Sequence, residues 1–151
     1  MIRTLRDTDL EQASAVCMRA FLQAVAPSLS TRGVETFSAI AAPAAFAARG
    51  QQDNLQQVFD VGGVIKGVAE LKQRRHVAML FVDPDGQREG IGEALLAALV
   101  QQARTEVLTV SASLSSVAFY ARHGFRTDGA VAESAGLVYQ PMTRALIANA
   151  G

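Results

Sequence analysis

The stretch "HVAMLFVDPDGQREGIGEALLAALV", from His76 to Val100, constrains the fold more than any other segment of this sequence. "HVAMLFVD" is apolar almost throughout, which predicts a central strand covered on both faces. Pro84-Asp85-Gly86 ends that strand, and Leu95, Leu96, Leu99 and Val100 then fall at helical spacing. A strand that feeds a helix through a tight turn belongs to a layered arrangement of helices on a sheet. Glycine costs a helix interior about 1 kcal/mol against alanine. Gly90 and Gly92, placed where the helix begins, therefore point to backbone that something must approach closely.

The first N–H groups of a helix lack intrahelical partners and sit at the positive end of its dipole, so a turn entering a helix can hold an anion. Gly90 and Gly92 fit a loop that wraps a pyrophosphate, with Arg88 as a charged partner. From G-x-G alone, a packing pair where helix meets sheet is the plain alternative. The sequence has no G-K-[ST] after this strand, and Gly86, Gly90 and Gly92 do not make G-x-G-x-x-G. A dinucleotide fold also places an acidic residue at the end of the next strand, whereas Glu106 begins one.

The rest of the chain supplies the layers. "IRTLR" alternates as a first strand, and Thr8-x-x-Glu11 has a capping-box pattern ahead of Leu10, Ala13, Val16, Cys17, Ala20, Phe21, Ala24 and Val25 at helical spacing. That helix should stop near Pro27. "SLSTRG" is loop-like, and Phe37 to Ala48 mark a second helix that Pro43 bends or interrupts. "LQQVFDV", Gly62-Gly63 and "VIKGVAELK" read as a hairpin. "EVLTVSA" is a further strand, "LSSVAFYARH" a short helix, and "GFRTDG" with "LVYQPMTRAL" a closing antiparallel pair. The predicted order is β-α-α-β-β-β-α-β-α-β-β, an α/β (α+β) class with helices around a mixed sheet.

With 151 residues, half of them hydrophobic, the chain suits one packed core. Its 14 basic and 14 acidic residues balance, so no general attraction to nucleic acid or to an anionic membrane is expected. Cys17 is the single cysteine and cannot form an intrachain disulfide, and "MIRTLRDTDL" lacks the apolar core of a secretory signal. A soluble cytoplasmic protein is expected, with a homodimer the commonest assembly for such a chain.

Gln87, Gly90 and Gly92 match Q/R-x-x-G-x-G/A, and in this the stretch resembles the acyl-CoA loop of the GCN5-related N-acetyltransferases (GNAT). "LFVDPDGQREGIGEALL" resembles the family's strand, turn and helix. "SASLSSVAFYARHGFR" is similar to its later segment ending F-Y-x-x-x-G-F, "VGGVIKGVAEL" to its preceding hairpin, and "AGLVYQPM" to its last strand. Residues 55 to 146 match in order and spacing, and the helical first third in outline. Ser113 stands where many members have asparagine, and Glu89 where a basic residue is common.

The resemblance implies a single N-acetyltransferase domain over residues 1–151, with a mostly antiparallel, splayed sheet and acetyl-CoA as cosubstrate. It implies that the loop Gln87, Arg88, Glu89, Gly90, Ile91, Gly92 and Glu93 holds the CoA pyrophosphate, with Ser113, Phe119 and Tyr120 completing the acyl-CoA site. The backbone of Leu80, Phe81 and Val82 would pair with the pantetheine arm where this strand splays from its neighbour. No metal is implied.

Acyl transfer to an amine needs a neutral amine, a stabiliser for the developing oxyanion, and a proton for the leaving thiolate. The phenol of Tyr120 suits the last task, and the resemblance places such a tyrosine beside the CoA sulfur; its residue type alone also suits a core aromatic next to Phe119. A Val82 or Phe81 N–H would polarise the thioester carbonyl. His76, eleven positions before Gln87, is the candidate general base, or else a solvated strand end beside Arg74 and Arg75; Glu70 is the second candidate. His123 reads as a helix C-cap, Cys17 and Met18 as packing, and Arg74-Arg75 as a solvated turn. The family's acceptor groove falls here around Ala26 to Val34 and Val131 to Val138, where Arg32, Glu35 and Glu133 are the nearby charges, and this favours an acceptor with apolar character.

Two other readings stand beside the enzyme. A non-catalytic acyl-CoA binding or sensing module would keep Gln87 to Gly92 and dispense with Tyr120. F-Y-x-x-x-G-F also occurs in metalloproteins of the glyoxalase type, which need His and Glu ligands on several strands, whereas this chain has two histidines and one copy of the motif.

Overall fold

The computed structural model describes residues 1–146; the rest of the expected 1–151 domain lies outside the described residues. The order is β1 (Ile2–Thr4), α1 (Leu10–Ala24), α2 (Thr31–Ile40), α3 (Pro43–Gly50), β2 (Asn54–Val61), β3 (Val64–Lys72), β4 (His76–Val82), α4 (Ile91–Gln101), β5 (Val107–Ser113), α5 (Val117–Arg122), β6 (Arg126–Thr127), β7 (Ala132–Ser134) and β8 (Leu137–Ala145). The strands form one mixed sheet, β1-β2-β3-β4-β5-β8-β6, with β7 also on β8; β4 and β5 run parallel and the other pairs antiparallel.

Each face of the sheet is covered. On one side α1 turns Ala13, Val16, Cys17, Ala20 and Phe21 inward at helical spacing, against Val58, Val68 and Met79, with Phe37 of α2 and Phe46 of α3. On the other, Ile91, Leu95, Leu96 and Leu99 of α4 pack with Ala69, Leu71, Leu108, Val110, Tyr120, Phe125 and Met142. The central position expected for "HVAMLFVD" follows from this double cover.

Two local expectations are corrected, and the interruption expected at Pro43 is observed. The capping box at Thr8 and Glu11 is not made: a 3-10 turn, Asp7–Asp9, precedes α1, and the Asp9 carboxylate takes the Arg6 N–H at 2.7 Å and the Arg3 guanidinium. "SLSTRG" is half helix, since α2 starts at Thr31 after the extended Ser30. Pro43 begins a separate helix because its fixed φ suits the first helical position, with Ala42 extended before it.

The closing pair also carries one more strand than expected. Ser134 pairs with Leu137 across a two-residue turn, Ala135 (φ +50°) and Gly136 (φ +84°), both left-handed as such a hairpin requires. Alanine in the first of those positions hides the turn from a sequence reading, which relies on Asn, Asp or Gly there.

Candidate active site

The sheet opens along β4 and β5. His76 pairs with Thr109 and Val77 with Val110, and beyond them the strands diverge, β5 continuing on β8 as far as Ser113–Tyr139. On its other edge β4 stays on β3, but Glu70 faces Met79 and Leu71 faces Val77, so Ala78 is an extra residue, a bulge. The bulge resets the alternation: Val77 packs towards α4, whereas Met79 and Phe81 pack towards α1 and α2.

The same parity decides which main-chain groups face the gap. Asp83 N–H donates to Lys66 O at 2.8 Å, on the β3 side, so Phe81 also turns its N–H and C=O to β3. Leu80 and Val82 turn theirs to the open side, where Val82 O accepts from Gln87 Nε2 at 3.4 Å. The expectation for the Phe81 backbone is thereby corrected, since its hydrogen-bonding groups belong to the β3 ladder and only its side chain lines the gap.

A cleft of about 890 Å³ fills the opening. At one end lies the glycine loop, where Gly90 takes φ +79° as the N-cap of α4. The N–H groups from Arg88 to Glu93 find no backbone or side-chain acceptor among the described residues. A Cβ on Gly92 would come no closer than 3.5 Å to Phe119 and 3.6 Å to Val82, ordinary contact distances. Packing within the chain therefore does not require glycine at position 92, and the packing-pair alternative loses its ground there.

Gln87, Arg88, Gly90, Ile91, Gly92 and Glu93 line this end, with Ser113, Phe119 and Tyr120 from the β5 side. Ser113 Oγ is tied to Ser116 Oγ at 2.8 Å. Glu89 is not among the lining residues. Tyr120 is buried at the cleft wall, edge-on to Phe119 (5.3 Å) and Phe125 (5.2 Å), and burial pushes its phenol up from the ordinary value. Its hydroxyl makes no hydrogen bond among the described residues.

The two base candidates are not brought to this cleft. His76 lies at the joined end of β4 and β5, with Nδ1 2.6 Å from Thr109 Oγ1. Burial, then Arg75 and Lys72, hold its imidazole below the ordinary value. Glu70 is buried on the α1–α3 face of the sheet and is not part of the cleft lining, taking Arg49 Nε at 2.9 Å and Gln56 Nε2 at 3.0 Å. The spacing to the loop that singled out His76 counts residues along a strand, and that strand carries it to the wrong end of the gap.

Other expected residues take supporting places. His123 caps α5, its N–H on Tyr120 O, and its ring lies 4.7 Å from Phe119. Cys17 is buried, and burial pushes its thiol up. Arg74 donates to Gln102 Oε1 at 2.8 Å in an exposed turn remote in sequence from the loop.

Sequence reading missed Asp83, which accepts Asp85 N–H at 3.1 Å and pairs with Arg19 of α1, tying the start of the glycine loop to the opposite layer. Burial opposes ionisation of Asp83, and the Arg19 guanidinium with the Asp85 N–H prevails, holding the carboxyl below its ordinary value. Its signal was the D-P-D turn. Arg122, two residues after Tyr120, is a second cation on the cleft wall.

This arrangement matches known proteins. Residues 25–146 match the acetyltransferase (GNAT) domain family. A GCN5-related N-acetyltransferase structure from Rhodopseudomonas palustris is 28% identical, with a TM-score of 0.84 over 96% of this chain and 94% of that one. The PaiA N-acetyltransferase of Thermoplasma acidophilum, solved in complex with coenzyme A, shares the fold at 19% identity, with a TM-score of 0.78 over 96% of this chain and 98% of that one. The uncharacterised N-acetyltransferase YafP of Escherichia coli (strain K12) is 42% identical over 52 residues, 34% of this chain and 33% of the relative's length. The sheet opened between β4 and β5, the glycine loop heading α4 and the match over residues 25–146 lead to one conclusion: this chain belongs to the GNAT acetyltransferase family, and its domain is an acyltransferase domain.

Proposed function

We propose that residues 1–151 form one cytoplasmic N-acetyltransferase domain that moves an acetyl group from acetyl-CoA to an amine of a small molecule or protein, by direct attack in a ternary complex. The observation that carries this reading is the continuity of the cleft, from the unpartnered N–H groups of the glycine loop, past the open edge of β4, to Tyr120. A diphosphate is held by the Arg88–Glu93 N–H groups, with Arg88 and Arg122 as cations nearby. Leu80 and Val82 offer the main-chain groups that an extended amide arm needs. The Val82 N–H is aimed to polarise the thioester carbonyl as negative charge develops on its oxygen.

In the transfer the amine lone pair forms the N–C bond and the C–S bond breaks. The electron pair leaves on sulfur, which takes the Tyr120 proton; the proton shed by the nitrogen goes to water, from which Tyr120 recovers its own. No side-chain base is assigned, because His76 and Glu70 are held elsewhere. The amine then reacts as its free base.

Tyr120→Phe tests the reading, since it keeps the ring and removes the proton. We expect thiol release from acetyl-CoA to fall by roughly 10²–10⁴-fold with acetyl-CoA affinity unchanged. Equal thiol release from the two folded proteins removes Tyr120 from the chemistry. Acetyl-CoA binding with no turnover by either protein identifies a binding module instead.

A further inference from the structure

The end of the cleft away from the glycine loop is built from α1, α2 and the β7–β8 hairpin. Phe21, Val25, Leu29, Phe37 and Ile40 line it from the helices, and Leu137 from the hairpin. Phe21 and Phe37 stack at 4.1 Å and 9°, and Phe81 of β4 meets Phe37 at 5.2 Å and 57°. This aromatic row continues into the open edge of β4, where the acyl group would lie.

Among the described residues, the charged side chains that line the cleft are Arg88, Glu93 and Arg122, all on the glycine loop, the first turn of α4 or α5. Arg32, Glu35 and Glu133 are exposed and outside the lining. Arg49 approaches from α3, but its Nε is on Glu70, its Nη1 on Ile40 O at 2.8 Å and its Nη2 against Met79 Sδ. A second positive charge on an acceptor would find no carboxylate at this end.

The two walls also touch. A Cβ on Gly33 of α2 would fall 2.3 Å from Gly136 O, and one on Gly136 would fall 2.5 Å from Gly33 N. Thr36 Oγ1 donates to Ala135 O at 2.6 Å beside them. Helix α2 is thereby strapped to the β7–β8 turn at this end of the arm.

We propose, resting on the acetyltransferase reading above, that the acceptor is a small monoamine with an apolar, planar body, which enters the aromatic arm ring-first and presents its amino group to the open edge of β4. Polycationic acceptors such as polyamines and aminoglycosides are excluded, because each added ammonium would be desolvated without a partner. The ring gains contact with Phe81, Leu29, Ile40 and Leu137 above the buried Phe21–Phe37 stack, and the same apolar surroundings favour the neutral form of the amine that attacks.

The test compares 2-phenylethylamine, spermidine and kanamycin as acceptors in a thiol-release assay with acetyl-CoA, and calorimetry follows acetyl-CoA alone. We expect kcat/KM for 2-phenylethylamine to exceed that for either polycation by about 100-fold or more. Ala24→Glu and Ser134→Glu each place a carboxylate at an exposed position on the lining, where folding is spared. Each should shift the spermidine to 2-phenylethylamine ratio towards spermidine by about tenfold. Equal or better use of spermidine or kanamycin by the wild type overturns the proposal. So does an unchanged ratio in both folded variants, or turnover of none of the three amines by a protein that still binds acetyl-CoA. Failure to bind acetyl-CoA overturns the underlying reading, and this proposal with it.

Discussion

His76 and Thr109 face each other where β4 and β5 are still joined, with Nδ1 2.6 Å from Oγ1, and the strands separate just after Val77. The imidazole serves the joint and not the gap. His76→Ala should leave the pH–rate profile of acetyl transfer unchanged while lowering stability by about 1 kcal/mol, the scale of one lost hydrogen bond. Because folding depresses the His76 pKa below 6.5, the unfolded chain binds the extra proton first, and wild-type stability falls as pH drops below that value through the folded pKa. Denaturant melts at neutral and mildly acidic pH should show this acid loss in the wild type and a smaller one in the variant. A vanished limb in the rate profile would return His76 to the chemistry.

Gly92 separates folding from binding. Its Cβ position is free of close contacts, and alanine favours a helix by about 1 kcal/mol over glycine. Gly92→Ala should melt at the wild-type temperature or above it and still bind acetyl-CoA, as the G/A position of the motif allows, whereas the branched side chain of Gly92→Val should lose acetyl-CoA affinity by about tenfold or more by calorimetry in a folded protein. Gly90→Ala behaves differently: nothing crowds its Cβ, but φ +79° costs a side chain about 1–2 kcal/mol, so this variant should lose stability.

Glu70 is buried with Arg49 and Gln56 on it, and removing the carboxylate leaves the guanidinium without its counterion. Glu70→Ala should cost about 3 kcal/mol of stability, in the range for breaking a buried pair. The folded fraction should keep the wild-type kcat. A selective loss of kcat in a stably folded Glu70→Gln protein would make Glu70 a participant in the reaction.

Asp83 gives the glycine loop an acid-labile anchor. Its folded pKa lies below 3.8, so the pair with Arg19 contributes stability above that value, and the contribution disappears as pH falls through the folded pKa. Urea melts from about pH 5 to about pH 2 should show a shallower acid loss for Asp83→Asn than for the wild type. At neutral pH the same variant should bind acetyl-CoA more weakly, because the turn that carries Gln87 is no longer held to α1.

The sequence by itself determined the layers and the loop. Helical and alternating periods depend on local backbone geometry, so α1, the hairpin at Gly62-Gly63, the central β4 and the glycine-headed α4 were readable residue by residue. Gly92 and Tyr120 were legible as motif residues because each motif lies within a single strand–helix unit, β4–α4 and β5–α5. Tertiary structure alone decided which residues meet. One bulge at Ala78 turned the main-chain groups of Leu80 and Val82 to the gap and those of Phe81 to β3. Its position is set by how β4 registers on β3, not by the identity of an alanine. The strand pairing sent His76 to the joined end, and the approach of Gly33 to Gly136, 103 positions apart in the chain, built the aromatic arm. Contacts between segments distant in sequence are decided by packing, which no local pattern encodes.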